Sequence, residues 1–294
     1  SASATGLDDF SDKDKVVNKD AVSMLVSLGI IEGKPDGSYG PTENVDRAQM
    51  AKMLSVIMNK GVDNSALYQS VNSGLVDVNT NWAKGHINYC YTTGIIAGRG
   101  NGTFDPSATV TALEAAKMLL VAVGYDPKIE GFEGADWAIN VSVRADEQGI
   151  FEGFTKDLSA PLNRDDAALL IYNALDVEMI QSYTTNNYPI AYSDHRTILA
   201  DKYGVIKVQG VVVANEWASL ASDDGDAALK EGKTTIYNGE GIFSTTGNTT
   251  VSKEDASLKT QTFNVSTPVD MLGKTVNLYI KKTTILADST VYGD

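Results

Sequence analysis

Apolar positions recur with a helical period through the first 180 residues and with period two beyond about residue 192. Ala115, Met118, Leu119 and Ala122 fall at i, i+3, i+4 and i+7, one buried face of a helix that opens at Thr111. Thr111 and Glu114 have capping-box spacing: the hydroxyl accepts a backbone N–H and the carboxylate reaches back to the cap residue. Before them, Gly94 supplies a left-handed helix stop, and Ile95 and Ile96 re-enter the core. Gly98, Gly100, Asn101-Gly102 and Pro106 then demand a tight loop. The stretch Gly94–Val123 thus reads as helix end, loop and new helix. It occurs twice more, at Gly29–Met58 with cap Asp46 and at Gly149–Leu175 with cap Asn163; Gln49 and Asp166 stand where Glu114 does. Three copies at roughly 55–65 residue spacing predict three helix–loop–helix repeats. The opening helices are expected at Asn18–Leu28, Trp82–Thr93 and Trp137–Gln148, with connectors at Gly61–Gly74 and Gly124–Gly134 and a lead-in over residues 1–9.

After about Asp176 the pattern changes. Gln181–Tyr192 is polar and rich in Tyr and Asn, and reads as a linker. Beyond it, Tyr203–Ala214 is a long strand pattern whose Gly210 suggests a bulge or bend. Shorter strands are expected at Lys233–Tyr237, Gly241–Ser244, Gln261–Val265, Thr275–Lys281 and Thr283–Leu286, and Asp223–Gly232 as a loop or short helix. The predicted fold class is α+β in two domains: a pseudo-threefold helical module of three repeats, then a small all-β barrel or sandwich. The boundaries are 1–180 for the repeats (about 8–60, 75–125 and 132–178), 181–192 for the linker and 193–294 for the β-rich part.

A length of 294 residues suits two domains, each large enough to bury a core. No run of about 18 apolar residues occurs, so no membrane-spanning helix is expected. The net charge of −14 argues against general nucleic-acid binding, which needs cations along the phosphates. The single Cys90 excludes an internal disulfide and, beside Ile87 on a helix face, reads as a packed thiol. The start Ser-Ala-Ser-Ala, without Met, suits either a mature end left by signal-peptide removal or a fragment boundary.

Enzyme chemistry has thin support. There are two histidines, His86 and His195, and no H-E-x-x-H, Cys pair or G-x-S-x-G. Gly98, Gly100 and Gly102 do not follow a strand, which removes a dinucleotide loop. The pairs Asp165-Asp166 and Asp223-Asp224 read as solvated faces. No cofactor and no metal site is expected. Arg47 and Arg164 stand out. Each takes the first helical position, where the macrodipole is positive and a cation is mildly unfavourable. Beside a loop of exposed backbone N–H groups, they make either an anion-binding corner or a surface ion pair with a neighbouring carboxylate. The middle copy has Ala112 there.

These elements together resemble the S-layer homology repeat of bacterial surface proteins. The resemblance rests on Phe10-Ser11-Asp12, Val76-Asp77-Val78 with Trp82-Ala83, and Asp136-Trp137-Ala138. The three Gly-Ile boxes carry it further, with Asp46-Arg47-Ala48-Gln49, Thr111-Ala112-Leu113-Glu114 and Asn163-Arg164-Asp165-Asp166. It covers about residues 8–178, and the remainder shows none. It implies a secreted cell-wall or surface-layer protein that binds pyruvylated, anionic secondary cell-wall polysaccharide in grooves between repeats. The site residues so implied are Arg47, Arg164, Trp82, Trp137, Gly33, Gly98, Arg99 and Asp77. A pyruvyl carboxylate would suit a bidentate guanidinium, and the Trp rings either stack on sugars or serve as core aromatics at helix starts. The β part would contact copies of itself in a lattice or filament. The alternative is the anchoring segment of a larger secreted enzyme, such as a polysaccharide hydrolase, continuing beyond Asp294.

Overall fold

The computed structural model describes residues 6–220, 228–242 and 259–281. The chain divides into two compact units, Ser1–Ala191 and Tyr192–Asp294. Helix and sheet are mixed, and the paired strands are antiparallel.

The first unit holds α1 (Lys19–Ser27), α2 (Arg47–Met58), α3 (Lys84–Thr92), α4 (Ala112–Val123), α5 (Trp137–Glu147) and α6 (Arg164–Leu175). The second helix of each pair starts where the sequence placed its cap. Asp46 accepts from Gln49 N, Thr111 from Glu114 N and Asn163 from Asp166 N. Glu114 meets the hydroxyl of Thr111 rather than its N–H, so only Asp46 and Gln49 close a full reciprocal box. Gly29, Gly94 and Gly149 sit at φ +71°, +80° and +73°, the left-handed stops that let each chain turn into its loop.

The packing runs between copies. α1 lies on α6, α3 on α2 and α5 on α4, so each opening helix covers the second helix of another copy. The caps are joined in the same sense. Val45 N donates to Leu162 O at 2.9 Å, Leu162 N to Val110 O at 2.7 Å, and Val110 N to Val45 O at 2.9 Å, a closed ring of three backbone bonds. All three side chains are buried. Such backbone groups inside a core must be paired, and here only the other copies can pair them.

Residues 181–192, expected as a linker, instead fall almost wholly within a hairpin of β1 (Ile180–Tyr183) and β2 (Pro189–Ala191). The Tyr183 hydroxyl donates to Glu130 Oε1 at 2.9 Å and accepts from Asp126 N at 2.9 Å. Gly124 makes room for it: a Cβ there would stand 2.3 Å from Ile180 O. The polar composition suggested a linker because the hairpin is held by its backbone ladder and one tyrosine rather than by an apolar stripe.

The second unit opens with α7 (Ile198–Tyr203), capped by the Thr197 hydroxyl, a helix that the sequence pattern did not suggest. Then come β3 (Val205–Asn215), β4 (Thr234–Tyr237), β5 (Thr260–Phe263) and β6 (Thr275–Lys281), in sheet order β5-β4-β3-β6. Ile206, Val208, Val212, Ile236, Phe263, Leu278 and Ile280 form its core. Among the described residues the sheet is open, without the closure a barrel needs. Gly210 pairs regularly with Val276; the irregularity falls between Val212 and Ala214 instead. Glycine at 210 serves close approach, since a Cβ would meet Tyr237 O at 2.9 Å. Gly241 and Ile242 are outside any strand; the rest of the strand expected there, that at 283–286, and residues 223–227 lie outside the described residues.

Candidate functional site

Arg47 and Arg164 behave alike. Each begins a helix, and each sends its guanidinium into the loop of another copy. Arg47 Nε donates to Phe104 O at 2.8 Å and Nη2 to Ala97 O at 2.7 Å, with the guanidinium 4.5 Å from the Phe104 ring centre. Arg164 Nε donates to Tyr39 O at 2.8 Å and Nη2 to Glu32 O at 3.0 Å, 4.9 Å from the Tyr39 ring centre. Neither is the surface ion pair that the sequence left open. A planar fork over an aromatic face, with two donors on carbonyls, is a geometry lysine cannot copy.

Arg47 is the more enclosed, with 4% of its surface exposed. Burial, reinforced by the charge of Arg99, pushes its pKa down to about 10 against the opposing pull of Glu114, Asp105 and Asp77. It stays protonated at neutral pH. No carboxylate lies in salt-bridge range of it among the described residues, and its Nη1 has no hydrogen-bond partner there. A cation this buried without a paired anion is costly unless an anion can reach it.

A groove of about 730 Å³ lies against this guanidinium. It is lined by Arg47 of the first copy, Ile95 to Gly100 with Glu114, Lys117 and Met118 of the second, and Phe132, Glu133, Gly134 and Trp137 of the third. Lys117 projects into it, half-buried, its pKa lowered by burial and by Arg47 against the pull of Glu133. The groove therefore brings together Arg47, Gly98, Arg99 and Trp137 of the residues singled out in the sequence. Arg99 reaches Asp105 at 3.3 Å. Gly98 is required by the loop: a Cβ would stand 3.1 Å from Thr103 O and 3.2 Å from the Tyr91 ring.

The others lie elsewhere. Trp82 is 59% exposed and does not line this groove. Gly33 belongs to the first loop, packed so that a Cβ would meet the Phe10 ring at 2.5 Å. Asp77 holds its own loop, accepting from Phe104 N at 2.9 Å and Asp105 N at 2.7 Å. Burial would raise its pKa, but these backbone donors outweigh that and keep it below the ordinary value. Asp12 clamps Tyr39 N and Gly40 N in the same way. Asp165 and Asp166, read as solvated, are buried. Asp165 accepts from Val17 N and Asn18 N at 3.1 Å each, tying α6 to the entry of α1. Lys117 was missed because its signal is relational: a lysine six residues past a helix cap means little until the facing loop is known. Cys90 is the packed thiol expected, its pKa raised by burial.

The family model of the S-layer homology domain matches residues 9–51 and 76–116, the first two copies. A cell surface protein of Thermoanaerobacter kivui is 28% identical over 238 residues, 80% of this chain and 28% of that protein. The middle cell wall protein of Brevibacillus brevis is 27% identical over 206 residues, 70% of this chain and 18% of its own length. An amylopullulanase of Thermoanaerobacterium thermosulfurigenes is 30% identical over 173 residues, 54% of this chain and 9% of the enzyme. The chain thus spans less than a third of each of these relatives. Among the described residues no helix is long and apolar enough to cross a membrane. With two matched domains and relatives of this kind, the chain is a secreted bacterial cell-surface protein that carries S-layer homology domains.

Proposed function

We propose that residues 1–180 act as one pseudo-threefold module that anchors the protein to anionic, pyruvylated wall polysaccharide, with the Arg47 groove as the main contact. The observation that carries this reading is the buried guanidinium of Arg47, in no salt bridge among the described residues, at the wall of an open groove. A carboxylate on a sugar ring matches it: the acid pairs with Arg47, and the apolar sugar face lies along half-buried Trp137. Gly98 and Arg99 shape the rim. The ring of bonds among Val45, Val110 and Leu162 supports treating the three copies as one folding unit. The acidic chain as a whole repels an acidic glycan, so binding depends on this short-range pocket and weakens with salt.

The reading is non-enzymatic. The sheet unit from about residue 193 serves assembly with copies of the protein, in keeping with relatives named as surface and cell-wall proteins. A second reading, in which this segment anchors a larger enzyme, is favoured by the amylopullulanase that shares over half of the chain. Calorimetric titration of purified pyruvylated wall glycan tests the anchor. Arg47→Ala should weaken binding by about 1.5–3 kcal/mol, the scale of a hydrogen bond to a charged group. Unchanged affinity would remove the guanidinium from the site and leave it as a loop support.

A further inference from the structure

The two arginine sites share a frame but differ in what surrounds the cation. In the first loop the sequence is Gly29-Ile30-Ile31-Glu32-Gly33, and in the second Gly94-Ile95-Ile96-Ala97-Gly98, so Ala97 stands where Glu32 does. The helix that faces each loop carries a lysine six residues after its cap: Lys52 after Asp46 and Lys117 after Thr111. In the first loop the glutamate and the lysine meet. Lys52 Nζ lies 3.1 Å from Glu32 Oε2. The backbone oxygen of the same Glu32 accepts from Arg164 Nη2. Lys34 of that loop is also paired, with Glu43. Its lysines are thus neutralised from within the chain.

In the second loop Ala97 offers no carboxylate. Arg99 is paired with Asp105, but Lys117 has no ion pair among the described residues, and Arg47 has none either. These two cations, one buried and one half-buried, line a single groove with Glu114 and Glu133, and among the described residues no salt bridge joins them to either carboxylate. Burial lowers the pKa of Lys117, the charge of Arg47 adds to this against the pull of Glu133, and an anion between the two cations relieves both.

We infer that the protein has one working anion site, the Arg47–Lys117 groove, and that Glu32 is the residue that silences the matching site at Arg164 by holding Lys52. This rests on the anchoring function proposed above and fixes its stoichiometry and selectivity. The ligand is a saccharide with one carboxylate, bound once per chain. Glu32 acts as a specificity-determining residue, an internal carboxylate in the place where the glycan acid would otherwise sit. The exposed Glu32–Lys52 pair adds little stability of its own, so its side chains can be changed without loss of the fold.

The test is calorimetric titration of the full chain with a synthetic pyranoside bearing a 4,6-pyruvyl ketal, and with its neutral methyl ester. The unmodified protein should bind the acid at one site per chain and the ester at least tenfold more weakly. Ala97→Glu, at an exposed loop position, should weaken acid binding tenfold or more by supplying Lys117 with its own carboxylate. Glu32→Ala should raise the stoichiometry to two, and adding Lys52→Ala should return it to one. If the unmodified chain binds two acids, or if Ala97→Glu leaves affinity unchanged and Glu32→Ala leaves one site, the assignment of Glu32 is overturned while the anchoring function stands. No binding of the acid by the unmodified chain would overturn both.

Discussion

Arg47 and Asp77 show how differently two residues of one motif can be used. The sequence marked both, one for its charge at a helix start and the other for its place in the opening of a repeat. Arg47 turned out buried against a foreign loop, and Asp77 turned out to be that loop's clamp. The arginine was legible because a cation at the first helical position is mildly unfavourable and so invites a reason. The role of Asp77 was not, because its partners Phe104 and Asp105 are 27 and 28 residues away. Asp77→Ala should cost about 1–3 kcal/mol, since it strands two loop N–H groups, and chemical denaturation measures it. The sign with pH follows. The folded pKa of Asp77, like that of Asp12, is held below its unfolded value of about 3.9. Their contribution is therefore full above about pH 4 and is lost as pH falls through the lower, folded pKa. Gly33→Ala should also destabilise, by about 1–3 kcal/mol, because Phe10 stands where its Cβ would go; an unchanged melting midpoint would mean the loop yields freely.

At the scale of elements, the helices were the readable part. A 3.6-residue period and a cap fix a helix locally, and α1 to α6 lie within a few residues of where the pattern placed them. The hairpin at 180–191 and α7 were not readable, since neither has an apolar stripe long enough to declare itself. The hairpin should resist limited proteolysis, contrary to what a polar linker would do; early cleavage within 184–188 would show its ladder open in solution. The joint between α2 and α3 carries a pH dependence of its own. His86 is buried and bonded through Nδ1 to the Ser55 hydroxyl, with Asp63 3.6 Å from Nε2. Burial lowers its pKa, Asp63 opposes this and Lys52 adds to it. The unfolded chain, with a histidine near 6.5, therefore takes up the proton first. The joint's contribution is full above about pH 6.5 and is lost as pH falls below it. Melting midpoints measured from pH 7.5 to 5.5 should decline, and the decline should flatten in His86→Gln. An equal slope in both proteins would place the effect elsewhere.

For the whole molecule, the repeat signal in the sequence predicted neighbours, but not that the copies close on one another through Val45, Val110 and Leu162. That ring is made of backbone groups, which carry no signature in residue identity. Deleting residues 135–176 removes one of its three members and the covering of α1 and α4. The remaining two copies should lose their cooperative melt, whereas an unchanged midpoint would mean each pair folds alone. The sheet unit was legible through β3, whose alternation is long, and less so elsewhere, where strands are short. Function enters at this scale because the Arg47 groove takes walls from all three copies. The most direct measurement of the central claim is binding of the intact chain to purified wall glycan before and after removal of its pyruvyl ketals, at low and moderate salt. The account predicts tight, salt-sensitive binding to the native glycan and at least a tenfold loss once the carboxylates are gone. Equal binding to both glycans would contradict it.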